Sequence, residues 1–270
     1  MSGLVIRSAG TPDAEGKLLG ITPETAGWKY VGFEVYRLRP GQSFRRETGG
    51  NEMVLLLLSG IASISTRRSG REWDRIGGRM DIFEQVPPWS VYVPPADEAV
   101  LTAETVVELA VCSAPGKGTY EARLIAPENV RVAERGHGDM RRVIHNVLPE
   151  SEPADSLFIF EVYTPNGNWS SYPPHKHDED NLPHEAYLEE TYYHRIKRPG
   201  GFAIQRVYTR DGSLNETITV RDGDLVLVPK GFHPVAAPPG YDLYYLNVMA
   251  GPVRTWKFTD DPDHVWLKSV

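Results

Sequence analysis

Apolar residues in this chain fall in short runs, several alternating with polar residues, and Gly, Pro, Asn or Asp closes nearly every run. The runs at 31–39, 53–65, 91–93, 106–112, 158–163, 201–208, 224–228 and 243–248 therefore read as β-strands. No segment keeps an apolar stripe at helical period beyond a couple of turns, although 183–190 is predicted to form a short helix. The pattern predicts an all-β sandwich or barrel. Its longest unbroken apolar stretch, 53–58, is far short of the roughly 20 residues a membrane-spanning helix needs, so it reads as a buried strand.

The pattern also repeats. Pro40-Gly41 before a strand resembles Pro165-Asn166-Gly167, and Glu52 opening an apolar run resembles Glu190 opening another. Ser90 to Pro94 resembles Asp224 to Pro229, and Leu109-Ala110-Val111 resembles Leu246-Asn247-Val248. These landmarks recur at a spacing of about 135 residues with one jump, which implies a duplicated unit with an insertion between Gly167 and Glu190 in the second copy. Two domains follow, 1–125 and 126–270, each close to the usual size of roughly 100 to 150 residues.

Composition narrows the function classes. With 40% hydrophobic and 24% charged residues the chain is an ordinary globular protein, and its 22 prolines and 25 glycines fit many turns. A net charge of -7, with basic residues only in scattered pairs such as Arg67-Arg68, lacks the footprint that nucleic-acid backbones require. Cys112 is the single cysteine, which excludes an internal disulfide and a thiolate metal cluster and favours a reducing cytoplasm. The N-terminal residues carry charges and glycines rather than the apolar core of a signal peptide.

The chemistry concentrates in the second half. In Pro173-Pro174-His175-Lys176-His177-Asp178, strand alternation points His175 and His177 to one face and Lys176 to the other. A third imidazole, His233, follows the apolar run 224–228 through a Pro229-Lys230-Gly231 turn. Neutral imidazoles suit Zn, Fe, Mn and Ni, and a nearby carboxylate biases toward harder metals. Glu190 is the expected fourth ligand. His184 and His264 read as surface residues, and His194, sharing parity with Glu190 and Tyr192, reads as either cavity-lining or a buried, hydrogen-bonded histidine.

His-x-His followed by Glu, and a later Pro-x-Gly turn ending in His, together resemble the two motifs of the cupin superfamily. That resemblance implies two double-stranded β-helix (jelly-roll) barrels, a bicupin, with one divalent metal (Mn, Zn, Fe or Ni) per chain. The chain departs from the pattern by the residues inserted between His177 and the glutamate, which leaves Glu189 as an alternative to Glu190, and by a second motif one residue short before His233. Aligned by the repeat, the first copy has Gly49 and Asn51 where the histidine pair would stand and Glu98 near the third. It is expected to lack metal ligands, with Glu52 as a solvated or capping carboxylate.

Longer strings are more specific. Trp169 to Asp178, Gln205 to Thr209, Gly231 to Val235, Tyr244 to Pro252 and the tail Asp260 to Trp266 resemble the 5-deoxy-glucuronate isomerase family of inositol catabolism. Membership implies conversion of 5-deoxy-D-glucuronate to 5-dehydro-2-deoxy-D-gluconate, an aldose to ketose isomerisation through an enediolate. A metal with open positions can act as Lewis acid on the carbonyl and neighbouring hydroxyl oxygens, and a general base is needed to move the proton between carbons. Glu189, Tyr192, His194 and Lys230 are the candidates for that base. For the substrate carboxylate, Arg206 is the first choice, with an outer-face cross-strand ion pair as its equal alternative. Tyr172 and Tyr245 are further candidates for reading the sugar.

Three rivals stand beside this reading: a cupin Fe(II) oxygenase, a non-catalytic sugar-binding bicupin, and a sister cupin family that isomerises 4-deoxy-5-keto-uronate. The expected partner is a small sugar acid, with no nucleic acid and no membrane, and edge strands of bicupins favour a homo-oligomer.

Overall fold

A computed structural model describes residues 3–269. The regular structure is almost entirely β, and among the described residues the one α-helix is the single turn Pro23–Ala26. The backbone divides into two compact units, neither of which is one continuous half of the chain. Residues 8–131 with 146–158 form one, and residues 3–7, 132–145 and 159–269 form the other.

In the first unit a six-stranded sheet runs in the order Arg123–Ile125, Ser90–Val93, Asn51–Ser59, Val107–Pro115, Gly32–Leu38, Lys17–Ile21. A four-stranded sheet, Ser43–Glu47, Glu98–Ala103, Ile61–Thr66, Glu72–Gly77, supplies the opposing wall. Between them Phe44, Met53, Leu55, Leu57, Ile64, Val91, Val93, Leu101, Leu109 and Val111 make a continuous apolar interior. The run expected as one strand over 53–65 is two strands. Gly60, at φ 97°, turns the chain between them, and a side chain there would meet the Val106 carbonyl at 2.3 Å.

The repeat also aligns one residue differently from the sequence landmarks. Met53 pairs with Val93 just before Pro94, as Glu190 pairs with Val228 just before Pro229. Met53, not Glu52, therefore occupies the register place of Glu190, and it points into the apolar interior. Glu52 points to the other face, where it is fully buried and accepts from the backbone N–H groups of Asp155, Ser156 and Leu157 and from the Tyr92 hydroxyl, all at 2.6–2.7 Å. It is a capping carboxylate for that segment.

The second unit repeats the architecture. Its seven-stranded sheet runs Val5–Ile6, Leu225–Val228, Glu189–Ile196, Leu243–Ala250, Phe158–Thr164, Arg142–Leu148, Arg131–Arg135, and its four-stranded sheet runs Trp169–Ser170, Val235–Ala236, Phe202–Tyr208, Asn215–Arg221. A two-stranded pair joins His175–Lys176 to Thr259–Asp260 near the end of the chain. The interior is apolar at one end, with Val162, Ile196, Ala203, Val207, Ile218, Val220, Val226, Val235 and Leu243 packed together. The strand Val5–Ile6 extends the sheet edge by pairing with Leu225–Val228, and Arg7 is ion-paired with Asp224.

The segment 183–190 is not a helix. Asn181 and Glu185 form an isolated β-bridge that closes a turn, and Glu189 already begins the next strand. Side-chain bonds decide this. The Glu185 carboxylate accepts from the backbone N–H groups of Asp178 and Glu179 and from Lys176 Nζ, and Leu188 N–H donates to the His177 carbonyl. Those bonds draw the inserted residues back onto the strand His175–Lys176 rather than along a helix axis.

Candidate metal centre

The second barrel's interior turns polar where its strands end. Along Glu189–Ile196, alternation sends Glu190, Tyr192, His194 and Ile196 inward, and on Leu243–Ala250 it sends Leu243, Tyr245, Asn247 and Met249 the same way. His175 and His177 enter from the short strand beside the tail, with Lys176 on the opposite side. His233 arrives from the turn after Val228. Gly231 sits there at φ 87°, where a Cβ would lie 2.4 Å from the Tyr208 carbonyl, so the turn that delivers His233 needs glycine.

The ligand atoms of His175, His177 and His233 lie within 4.8 Å of one another, and this is the one such His/Cys/Asp/Glu cluster among the described residues. Glu190 Oε2 is 3.0 Å from Nε2 of both His177 and His233. Each imidazole uses its other nitrogen on the backbone. His177 Nδ1 donates to the Leu188 carbonyl at 3.0 Å and His233 Nδ1 to the Gly231 carbonyl at 2.9 Å, while the ring of His175 bonds the Pro173 carbonyl. The Nδ1 bonds of His177 and His233 turn Nε2 toward the centre, where that of His177 is hydrogen-bonded to Glu190 Oε2 at 3.0 Å. His233 Nε2 is buried without a true hydrogen-bond partner, since its approach to Glu190 lacks hydrogen-bond alignment. An orphaned imidazole nitrogen at a point shared by two more imidazoles and a carboxylate fits a divalent cation.

The electrostatics agree with that fit. Burial, reinforced by the neighbouring His233 and His177, pushes His175 well below the ordinary histidine range. Burial also opposes charge on His177, yet the Glu190 carboxylate beside it raises it overall. For Glu190, burial alone would favour the neutral acid, but His233 and His177 hold it well below the usual carboxylate range. The site thus keeps an anionic carboxylate among imidazoles in a buried place, and a cation bound there would take the place of the proton that Glu190 favours on His177.

Around this cluster lie residues that strand reading did not select. Asn247 Nδ2 donates to Glu190 Oε1, steering the carboxylate. Ser171, held at φ 48°, places its Oγ 2.9 Å from the Tyr192 hydroxyl and 3.4 Å from that of Tyr245. Trp256 and Phe258, from the tail, stand over the histidines, with ring centroids 5.6 Å from His177 and 5.0 Å from His175 respectively. Deeper in, His194 Nε2 donates to Gln205 Oε1 at 2.9 Å, which leaves His194 Nδ1 as an acceptor and Gln205 Nε2 as a donor, both buried and unpartnered. Burial pushes His194 down to about 4, so the ring is neutral. The sequence signal for Asn247 and Gln205 is a lone amide in an otherwise apolar strand.

Other expected site residues lie elsewhere. Arg206 is on the exposed face of Phe202–Tyr208, its guanidinium 3.9 Å above the Tyr208 ring and bonded to Asn215 Oδ1, because inward parity on that strand belongs to Ala203, Gln205 and Val207. Lys230 is exposed and bonds Ser213 Oγ. Glu189 is buried on the sheet face opposite Glu190. Tyr172 packs against Trp169, with centroids 5.2 Å apart, rather than against the histidines. Tyr192, His194 and Tyr245 do share the interior with Glu190; Tyr192 lies 5.8 Å from His233 and 4.8 Å from Tyr245 between ring centroids.

Known proteins resemble this chain in sequence and in fold. A protein of Geobacillus kaustophilus named 5-deoxy-glucuronate isomerase is 62% identical over 99% of this chain and 96% of its own length. One of the same name from Bacillus subtilis strain 168 is 44% identical over 92% of this chain and 91% of its own. The crystal structure of an IolB-like protein from Salmonella typhimurium LT2 superimposes with a TM-score of 0.95 at 49% identity, covering 99% of this chain and all of that one. Oxalate decarboxylase of Bacillus subtilis, a protein with Mn(II) centres, matches with a TM-score of 0.65 at 14% identity over 96% of this chain and 80% of its own, which shows a shared bicupin fold. Residues 4–267 match the KduI/IolB family, and the chain belongs to that family.

Proposed function

We propose that the second barrel is a divalent-metal-dependent isomerase that converts 5-deoxy-D-glucuronate to 5-dehydro-2-deoxy-D-gluconate in inositol catabolism. The observation that carries this reading is the convergence of His175, His177, His233 and Glu190 in a chain 62% identical to a protein named for that activity. Three imidazoles and a carboxylate suit Mn, Zn, Fe or Ni. When bound, such a cation supplies Lewis acidity toward the carbonyl and adjacent hydroxyl oxygens of an aldose.

The chain's own side chains do the rest. Burial, with the Glu190 charge beside it, raises the Tyr192 phenol well above its ordinary range, so it stays protonated and serves as a hydrogen-bond donor to a substrate oxygen that gains negative charge. Ser171 Oγ, 2.9 Å away, orients that hydroxyl and gives its proton a second oxygen to exchange with. Asn247 holds Glu190 in place, and Trp256 and Phe258 keep bulk water from the histidines. Of the four candidates for the base, Tyr192 and His194 share the interior face with Glu190.

No helix among the described residues is long and apolar enough to cross a membrane. A free, buried Cys112 and a metabolic sugar acid as substrate support a cytoplasmic setting. The exposed edge strand Arg131–Arg135 supports association between copies, which sedimentation measures directly.

The test is metal analysis of the purified protein together with an isomerase assay on 5-deoxy-D-glucuronate. His175→Ala is expected to lose bound metal and to lower turnover by at least about 100-fold, in line with the loss of a metal ligand. Retained turnover in a metal-free variant would overturn the reading.

A further inference from the structure

An isomerase for a sugar acid must hold the carboxylate end as well as the reacting end, and Arg206 faces away from the barrel interior. Another guanidinium, partly buried, starts from the interior face. Arg142 opens the strand Arg142–Leu148 and shares parity with Ile144, which packs on the interior cluster of Val162, Tyr192 and Tyr245. Its Nη1 donates to the Met140 carbonyl at 3.0 Å, and Gly136 leaves room for it, since a Cβ there would lie 2.7 Å from Nη1. No acidic side chain pairs with Arg142 among the described residues. Burial lowers its basicity, and Tyr245, Arg135 and Tyr192 are the titratable side chains near enough to act on it.

A partly buried guanidinium without a carboxylate is an unbalanced charge. It stands near the Tyr192 and Tyr245 side of the cavity, where the interior also leaves the Gln205 Nε2 donor and the His194 Nδ1 acceptor unpartnered. If the first two carbons of a six-carbon acid face the histidines, its far end lies toward these groups. We propose that Arg142 receives the carboxylate of the sugar acid and thereby selects uronates over neutral aldoses, an inference that rests on the isomerase reading and names the end of the substrate it recognises. The planar fork of Arg142 matches a carboxylate in a two-bond geometry that lysine cannot reproduce.

The test compares 5-deoxy-D-glucuronate with the neutral 5-deoxy-D-glucose as substrates of the full-length, metal-loaded protein. In Arg142→Met, KM for the acid is expected to rise about 10- to 100-fold, the worth of a charge-assisted pair. The kcat/KM for the neutral sugar should change by less than about twofold, and Arg206→Met should alter neither. Titration calorimetry with D-gluconate gives a readout independent of turnover: binding should weaken by a similar factor in Arg142→Met. The inference is overturned if a folded, metal-replete Arg142→Met keeps the acid's KM and its gluconate affinity, or if both sugars suffer equally. Should the methionine variant fold poorly, Arg142→Lys, which keeps the charge, and the wild-type preference for acid over neutral sugar decide; equal use of both sugars by wild type overturns it. A wild-type protein that turns over neither sugar, while binding gluconate through Arg142, overturns the isomerase reading and leaves the carboxylate site standing.

Discussion

A carboxylate's role in this chain depends on the face of the strand from which it projects. Glu190 and Glu52 both open apolar strands, yet Glu190 faces a barrel interior lined by imidazoles and Glu52 faces away from an apolar one. Glu52 accepts four hydrogen bonds in a fully buried place. Glu52→Ala would leave three backbone N–H groups and the Tyr92 hydroxyl without their acceptor, at a cost of about 2–4 kcal/mol. Chemical denaturation should show that loss, whereas metal content of the folded variant should equal wild type; a fall in metal content would mean that Glu52 serves the centre after all. Parity made His175 and His177 legible in sequence, because Lys176 between them left one reading. It failed at Arg206, where Phe202, Ile204 and Tyr208 are as apolar as Ala203 and Val207, so the strand's pattern does not say which face is inside. Arg142 opens its strand beside another arginine and carries no local signal at all.

Among the elements, those with apolar runs and glycine or proline stops were the legible ones. Strands such as Ser43–Glu47, Glu72–Gly77 and Asn215–Arg221 were not, because each lies half exposed at or near a sheet edge and is written mostly in polar residues. The insertion between His177 and Glu189 was legible as an insertion but not as a shape, since its conformation depends on Glu185 meeting both Lys176 and the backbone N–H groups of Asp178 and Glu179. Lys176 Nζ bonds Asp178, Glu179 and Glu185 at 2.7–2.9 Å, and Asp178 also accepts from Gly231 N–H, next to His233. Those carboxylates raise the lysine above its ordinary range although burial opposes its charge. Lys176→Met would leave three carboxylates crowded together, and a destabilisation of about 1–3 kcal/mol confined to this loop is expected. Limited proteolysis should then cut within residues 178–188 faster than in wild type, and an unchanged cleavage rate would show that the backbone bonds hold the loop without the lysine.

For the whole molecule, duplication is visible in two barrels of like topology, one with an apolar interior and one with a polar end. The second holds three imidazoles and a carboxylate, whereas the first has Met53 in the register place of that carboxylate. The second unit also needs the start of the chain. Residues 3–7 contribute a paired strand, the Arg7–Asp224 ion pair, and Leu4 and Val5 packed on the interior cluster. A variant beginning at Ser8 would expose the edge of Leu225–Val228 and lose on the order of 2–4 kcal/mol of apolar burial and pairing. Its melting temperature should fall by several degrees, since each kcal/mol moves a protein of this size about 2–4 °C. An unchanged melting temperature would mean that the strand is dispensable.

The edge strand Val5–Ile6 has a consequence for biosynthesis. It leaves the ribosome on the order of two hundred residues before its partner Leu225–Val228. At a synthesis rate of roughly 5–20 residues per second, that amounts to a wait of about ten to forty seconds. The second unit can close this sheet only after Leu225–Val228 has been made, so Val5 and Ile6 must be kept from other company until then.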